Sequence, residues 1–124
     1  MLQYYGADPE FSLEGKTAVI TGGAAGIGYE TAKFFAKKGV NLVLADLNPG
    51  VDEIAKELDP KAVGIAGDVT NGAYRQSVVD LGVKQFGQID ILVNCAGIVA
   101  LEKAELISES DWDRTMNINL KSSF

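Results

Sequence analysis

The stretch Thr21-Gly22-Gly23-Ala24-Ala25-Gly26-Ile27-Gly28 constrains this chain more than any other. It follows an apolar, strand-like run from Thr17 to Ile20 and precedes an amphipathic helical run. Glycines in such a turn let the backbone approach a ligand with no Cβ in the way. The helix behind it aims unpaired N–H groups and the positive end of its dipole at the same spot. An anion is the natural occupant, and the pyrophosphate of a dinucleotide is the expectation. A P-loop is excluded. Gly23-x-x-x-x-Gly28 has the spacing, but Tyr29-Glu30 follows where Lys and Ser/Thr are required. The spacing G-x-x-x-G-x-G also differs from the general G-x-G-x-x-G fingerprint.

Beyond the turn the pattern alternates. Strand-like runs occupy Thr17–Thr21, Asn41–Asp46, Ala62–Ala66 and Ile89–Val93, each nearly continuous in apolar character. Continuous apolar runs of this length suit parallel strands covered on both faces. Helical runs lie between them. The first places Ile27, Thr31, Phe34, Phe35 and Lys38 on one stripe and stops at Gly39. The second opens at Asn48-Pro49, a cap followed by proline, and carries Val51, Ile54, Ala55 and Leu58. The third starts near Thr70 with Val79, Val83 and Phe86 on one face, although Gly72 and Gly82 disfavour a helix. The fourth begins in the capping pattern Ser108-Glu109-Ser110-Asp111 and runs through Trp112 and Met116. Phe34, Phe35 and Trp112 read as core aromatics. Strand and helix in alternation predict an open α/β sheet with right-handed crossovers.

Composition removes whole classes of function. The 124 residues suffice for one domain, with residues 1–12 as a tail and 13–124 as the domain. A formal charge of −6 argues against a nucleic-acid binder. The chain has no histidine, which excludes Ser-His-Asp triads, Cys-His dyads and histidine metal sites. No metal is expected. The single cysteine, Cys95, reads as a buried small residue in a reducing, cytoplasmic setting. No run is long enough to span a membrane, and no secretory signal opens the chain.

Three further features sit at strand ends. Asp46 closes the second strand about 20 residues after the turn, where a carboxylate bonds both hydroxyls of an adenosine ribose. Neither Ala25 nor Leu47 is basic, so nothing there would neutralise a 2′-phosphate, and NAD is expected over NADP. Asp68-Val69 follows the third strand, where carboxylate and backbone have the chemistry to read an adenine edge; by itself this pair reads as a cap for the helix starting near Thr70. Asn94-Cys95-Ala96-Gly97 follows the fourth strand, and its small residues let the chain pass close to a ligand at the carboxyl ends of the strands.

Taken in order, Thr21-Gly-x-x-x-Gly-Ile-Gly28, Asp46, Asp68-Val69 and Asn94-x-Ala-Gly97 resemble the short-chain dehydrogenase/reductase family of the classical type, over roughly residues 13–124. The resemblance implies a doubly wound Rossmann sheet, of which this chain carries the N-terminal part. The strand order it implies, 3-2-1-4, leaves the fourth strand as an apolar edge open to another strand or another chain. It implies that Gly22, Gly26, Ile27 and Gly28 line the pyrophosphate and that Asp46 holds the ribose. It assigns the adenine to Asp68 and Val69, and it sets Asn94, Ala96 and Gly97 beside the cofactor. Cys95 departs from a second Asn common at that position. Asn119, favoured over Asn117 by its distance from Trp112 and by Leu120 after it, matches the family's catalytic asparagine, which kinks a helix and holds a water.

The resemblance also implies hydride transfer between nicotinamide and a secondary alcohol or ketone, a polyol or sugar among the candidates, in a homo-oligomer. That chemistry needs a Ser and a Tyr-x-x-x-Lys, which the family places beyond residue 124, so the 124-residue chain alone is expected to be inactive and poorly stable. Tyr29-x-x-x-Lys33 has the spacing but lies on the helix leaving the glycine turn, where it reads as a surface pair. Two other functions fit the same fold: a dinucleotide-binding module without catalysis, and an S-adenosylmethionine methyltransferase.

Overall fold

The computed structural model describes residues 11–124, so most of the expected tail lies outside the described residues. The elements follow in the order β1 (Thr17–Thr21), α1 (Gly26–Lys37), β2 (Asn41–Asp46), α2 (Val51–Leu58), β3 (Val63–Ala66), α3 (Gly72–Phe86), β4 (Ile91–Asn94) and α4 (Glu109–Asn119). Short 3-10 turns occupy Ala104–Leu106 and Lys121–Ser123. All strand pairs are parallel, in the order β3-β2-β1-β4 that the resemblance implies. Thr21 ends level with Ala45 on β2 and Asn94 on β4, so the loops leaving the strands gather at one end of the sheet.

Alternate residues of β1 and β2 supply the two layers of the core, as the pleat demands. Ala18, Ile20, Leu42 and Leu44 pack with Ala32 of α1 and with Val51 and Ala55 of α2. Val19, Val43 and Ala45 pack on the other face with Val78 of α3. The central strands are thus sealed on both sides. β4 is not: Ile91 and Val93 pack against the first layer, while Leu92 is 58% exposed.

Two helices turn a different face inward from the one read in the sequence. On α1 the buried residues are Gly28 and Ala32, flanked by Phe35 and Ala36, whereas Ile27 and Phe34 stay exposed. On α3 they are Val78 and Gly82, while Val79 and Val83 face outward and Phe86 is half-buried. Small residues win these positions because they let the helix backbone approach the sheet. A Cβ on Gly82 would already stand 3.0 Å from Ile89 and 3.4 Å from Val43. Phe34 and Trp112, read as core aromatics, are likewise exposed, and only Phe35 packs against the core.

Element ends moved by a few residues for identifiable reasons. Asn48 does not cap α2 directly. Its side chain accepts from the Gly50 N–H at 2.8 Å, forming a turn that holds Pro49, and the helix starts at Val51. Thr70 is spent on Asp68, so Asn71 caps α3 through the Tyr74 N–H at 3.1 Å. The β4 ladder starts at Ile91, because the Asp90 carboxylate accepts from the Thr17 N–H at 2.9 Å and closes that end of the pair. β3 starts at Val63, after the Ala62 N–H closes a turn onto the Asp59 carbonyl. At α4 the capping pattern forms as read, with Ser108 Oγ accepting from the Asp111 N–H at 3.1 Å.

Candidate functional site

The glycine turn is built by contacts that leave no choice of residue. The Gly22 N–H donates to the Ala45 carbonyl at 2.8 Å, which ties the turn to the end of β2. Gly22 has φ +66°, and a Cβ on it would lie 2.8 Å from the Ala96 nitrogen. Gly28 lies against the Gly22 carbonyl so closely that its Cβ would stand 2.2 Å from that oxygen. Gly26 differs. At φ +58° it also sits in the left-handed region, but its Cβ direction meets nothing within 4 Å. The turn is therefore packed solid on the protein side and open at Gly26.

That opening is the N-terminus of α1. Its N-cap, Ala25, has no side chain to satisfy the first-turn donors, and no acidic residue lies in the first turn. Among the described residues, the N–H groups of Gly26 and Ile27 have no acceptor. Unpaired donors at the positive end of a helix form an anion site.

Asp46 stands at the carboxyl end of β2. One carboxylate oxygen accepts from the Ala24 N–H at 3.0 Å and the other from the Asn48 N–H at 3.0 Å. The side chain thus braces the glycine turn, and each oxygen keeps acceptor capacity for a ligand hydroxyl. Asp46 also links to the next loop, its carbonyl accepting from the Gly67 N–H at 2.9 Å.

In that loop Asp68 Oδ1 accepts from the Thr70 N–H at 2.8 Å and from the Thr70 hydroxyl at 2.7 Å. These bonds, with a smaller contribution from the Arg114 cation, hold the Asp68 carboxyl below the usual carboxylate range. Its Oδ2 and the Val69 N–H have no partner among the described residues. An acceptor and a donor on adjacent cleft-lining residues are thus both unused.

The loop after β4 is pinned to β1 by Thr21. The Thr21 hydroxyl accepts from the Cys95 and Ala96 N–H groups at 3.2 Å each. Asn119 grips the next residue from the end of α4: its Oδ1 accepts from the Ile98 N–H at 2.8 Å, and its Nδ2 donates to the Ile98 carbonyl at 2.7 Å. The helix breaks there, at Leu120, into a 3-10 turn.

These loops enclose one cleft of about 470 Å³. Gly22, Gly26, Ile27, Gly28, Asp46, Asp68, Val69, Ala96 and Gly97 all line it. Asn94 does not. Its residue lines a separate apolar cavity of about 200 Å³ between α3 and the 3-10 turn at Lys121–Ser123. Asn119 does not line the cleft and holds it through Ile98, which does. Arg114 and Ile118, one turn apart on α4, also line it and were not singled out in the sequence. Their i, i+4 spacing ahead of Asn119 was the available signal.

Tyr29 and Lys33 form a surface cluster. Lys33 pairs with Glu30 at 2.9 Å and lies 5.5 Å from the centre of the Tyr29 ring. The hydrogen bond to Glu30 raises the Lys33 pKa, so the ammonium is held more firmly in its charged form. Cys95 is half-buried and lines the cleft, and its backbone N–H is bound by the Thr21 hydroxyl.

A parallel α/β sheet with a glycine-rich turn after β1, a carboxylate after β2 and small residues after β4 defines a Rossmann-like α/β domain. Comparison with known proteins agrees. The short chain dehydrogenase family profile matches residues 16–124, and the chain belongs to that family. It is 40% identical over 124 residues to an NAD-dependent glycerol dehydrogenase of Listeria innocua, covering 99% of this chain and 49% of the relative. It is 43% identical over 126 residues to a D-threitol dehydrogenase of Mycolicibacterium smegmatis, covering 98% and 48%. Among solved structures, a short-chain glucose/ribitol dehydrogenase from Brucella melitensis superposes with a TM-score of 0.86 at 38% identity, over 92% of this chain and 50% of the other. A 3-ketoacyl-(acyl-carrier-protein) reductase from the same organism, solved with NADH, gives a TM-score of 0.83 at 35% identity, over 90% and 47%. The chain spans about half the length of these relatives. No helix among the described residues is long and apolar enough to cross a membrane.

Proposed function

We propose that residues 13–124 form the NAD-binding part of an oxidoreductase that interconverts a secondary alcohol and a ketone, with a polyol or sugar as the substrate class. The observation that carries this reading is the single cleft shared by the open Gly26 turn, the Asp46 carboxylate and the unused Asp68–Val69 pair. The open cradle at Gly26 fits a pyrophosphate, whose charge meets the free N–H groups of α1. Asp46 fits a ribose diol. Asp68, ionised and acceptor-only, fits the 6-amino group of adenine, and the Val69 N–H fits the ring nitrogen beside it. When bound, the nicotinamide supplies or takes up hydride.

NAD is favoured over NADP because a 2′-phosphate would meet the Asp46 carboxylate with no cation at Ala25 or Leu47 to offset it. The names of the glycerol and threitol dehydrogenases support a polyol. Asn119 has both atoms of its amide committed to Ile98. To a relay water it offers its main-chain carbonyl, which has no donor among the described residues where α4 breaks, and the second lone pair and second N–H of its amide. The 124 residues contain no Tyr-x-x-x-Lys apart from the surface pair Tyr29 and Lys33, so by themselves they bind cofactor without turning substrate over. The whole protein is proposed to act as a cytoplasmic homo-oligomer. The methyltransferase reading falls with the family match.

Isothermal titration tests the cofactor. NAD should bind at least tenfold more tightly than NADP, about 1.4 kcal/mol. Asp46→Ala should weaken NAD and erase the preference. Equal affinity for the two cofactors in the unmodified protein, or unchanged NAD binding by the variant, overturns the assignment.

A further inference from the structure

We propose that Arg75 and Tyr74, neither of which lines the cofactor cleft, are positioning residues that set its selectivity for adenine over other purine bases. This rests on the adenine reading of Asp68–Val69 given above and identifies what enforces it.

The β3–α3 loop is held from behind by the first turn of α3. The Tyr74 hydroxyl donates to the Ile65 carbonyl at 2.6 Å, and its ring packs so close to Gly67 that a Cβ there would stand 2.2 Å from it. Arg75 Nη1 donates to the Val69 carbonyl at 2.7 Å. That carbonyl belongs to the peptide joining Val69 to Thr70, whose N–H is the one bound by Asp68 Oδ1 at 2.8 Å. One peptide unit is thus gripped at both ends, by the guanidinium at its oxygen and by the Asp68 carboxylate at its nitrogen. Peptide planarity makes the two grips a single mechanical link. With Arg75 in place, the peptide cannot rotate, Asp68 Oδ1 stays occupied, and Oδ2 remains beside the Val69 N–H as the pair that meets a base.

Base selectivity follows from this order. An acceptor beside a donor matches the 6-amino group and N1 of adenine. Hypoxanthine presents a carbonyl and an N1–H in those places, so it sets acceptor against acceptor and donor against donor. Discrimination of that kind depends on fixed geometry, because a loop free to turn would accommodate either base.

The test measures dissociation constants for NAD and for nicotinamide hypoxanthine dinucleotide with the unmodified protein, Arg75→Ala, Arg75→Lys and Tyr74→Phe. Arg75 is exposed, so its replacement leaves the core intact, which far-UV circular dichroism verifies. The unmodified protein should favour NAD. Arg75→Ala should cut that preference by about threefold to tenfold, through weaker NAD binding with the hypoxanthine analogue little changed, as expected for one lost charge-assisted hydrogen bond. Arg75→Lys should recover part of it, and Tyr74→Phe should act in the same direction. A folded Arg75→Ala protein that retains the full preference overturns this proposal and leaves the cofactor assignment standing. Absence of any preference in the unmodified protein overturns the adenine reading of Asp68–Val69 and this proposal with it. Absence of dinucleotide binding overturns the proposed function as a whole.

Discussion

A methyl group added to Gly28 would stand 2.2 Å from the Gly22 carbonyl oxygen, a contact between two backbone segments that neither can relieve alone. One added to Gly26 would meet no atom within 4 Å but would sit on a residue at φ +58° and point into the cleft. The two positions therefore separate packing from ligand access. Gly28→Ala should lower stability by about 1–3 kcal/mol, the usual range for overpacking. Gly26→Ala should cost about 1 kcal/mol for the left-handed backbone and lose NAD affinity out of proportion to that cost. Thermal melts alongside NAD titrations check this, and a Gly28→Ala protein as stable as the unmodified chain would show that the turn is looser than its contacts imply. The site was legible in the sequence to the extent that it depends on such residues. Gly22 and Gly28 are glycines because a Cβ would strike backbone, Gly26 because of its left-handed φ, and Asp46 stands at a strand end where ligands of open α/β sheets bind. Arg114 was not legible because its place in the cleft depends on how α4 folds back over the β4 loop. Asn94 was assigned to the cleft by its neighbours in sequence, yet successive residues of a strand point to opposite faces, and its side borders the α3 cavity instead.

At the scale of elements, all four helix starts followed from pattern to within two or three residues, and the strand order matched what the family resemblance implied. The inward helix faces did not. Hydrophobic periodicity weights bulky side chains, so it chose Ile27 and Phe34 on α1 and Val79 and Val83 on α3. The sheet instead selects the rows that permit close approach, Gly28–Ala32 and Val78–Gly82. On α2 the small and bulky residues share one row, and the reading of Val51 and Ala55 held. That helix also carries a pH-dependent tie to the sheet. Asp52 accepts from the Gly64 N–H of β3 at 3.0 Å and pairs with Lys56, and these bonds hold its pKa below 3.8, the Lys56 contact being the larger cause. A carboxyl whose pKa is lower folded than unfolded adds stability above its unfolded value and loses it as pH falls through the folded one. Asp52→Asn should therefore destabilise the protein at pH 6 by about 0.5 kcal/mol, a modest figure because both partners are about half exposed. The difference should shrink to nothing as the pH drops well below 3.8. Urea melts of the two proteins across that range measure it, and a difference that persists in acid would mean that the Gly64 bond, not the charge, carries the effect.

Across the whole molecule, the cleft and the exposed apolar surface occupy different places. The cleft lies at the carboxyl ends of the strands. The apolar surface lies along β4 and the outer row of α3, where Leu92 is 58%, Val79 44% and Val83 48% exposed. β4 pairs only with β1 among the described residues, so its outer edge presents unpaired backbone groups next to that surface. An apolar edge strand of this kind recruits another strand. Sedimentation velocity on the 124-residue chain should therefore show association that grows with concentration, and Leu92→Lys should suppress it by placing a charge on the edge. NAD at one hundred times its dissociation constant should stabilise the fold by about 2.7 kcal/mol through binding to the native state alone. Because the cleft does not include Leu92, the two perturbations should be independent. NAD should raise the melting temperature without altering sedimentation, and Leu92→Lys should alter sedimentation without changing the NAD dissociation constant. If NAD dispersed the associated species, the edge and the cleft would have to be coupled through the Thr21–Cys95 junction, where, among the described residues, β1, β4 and the loops of the cleft share hydrogen bonds.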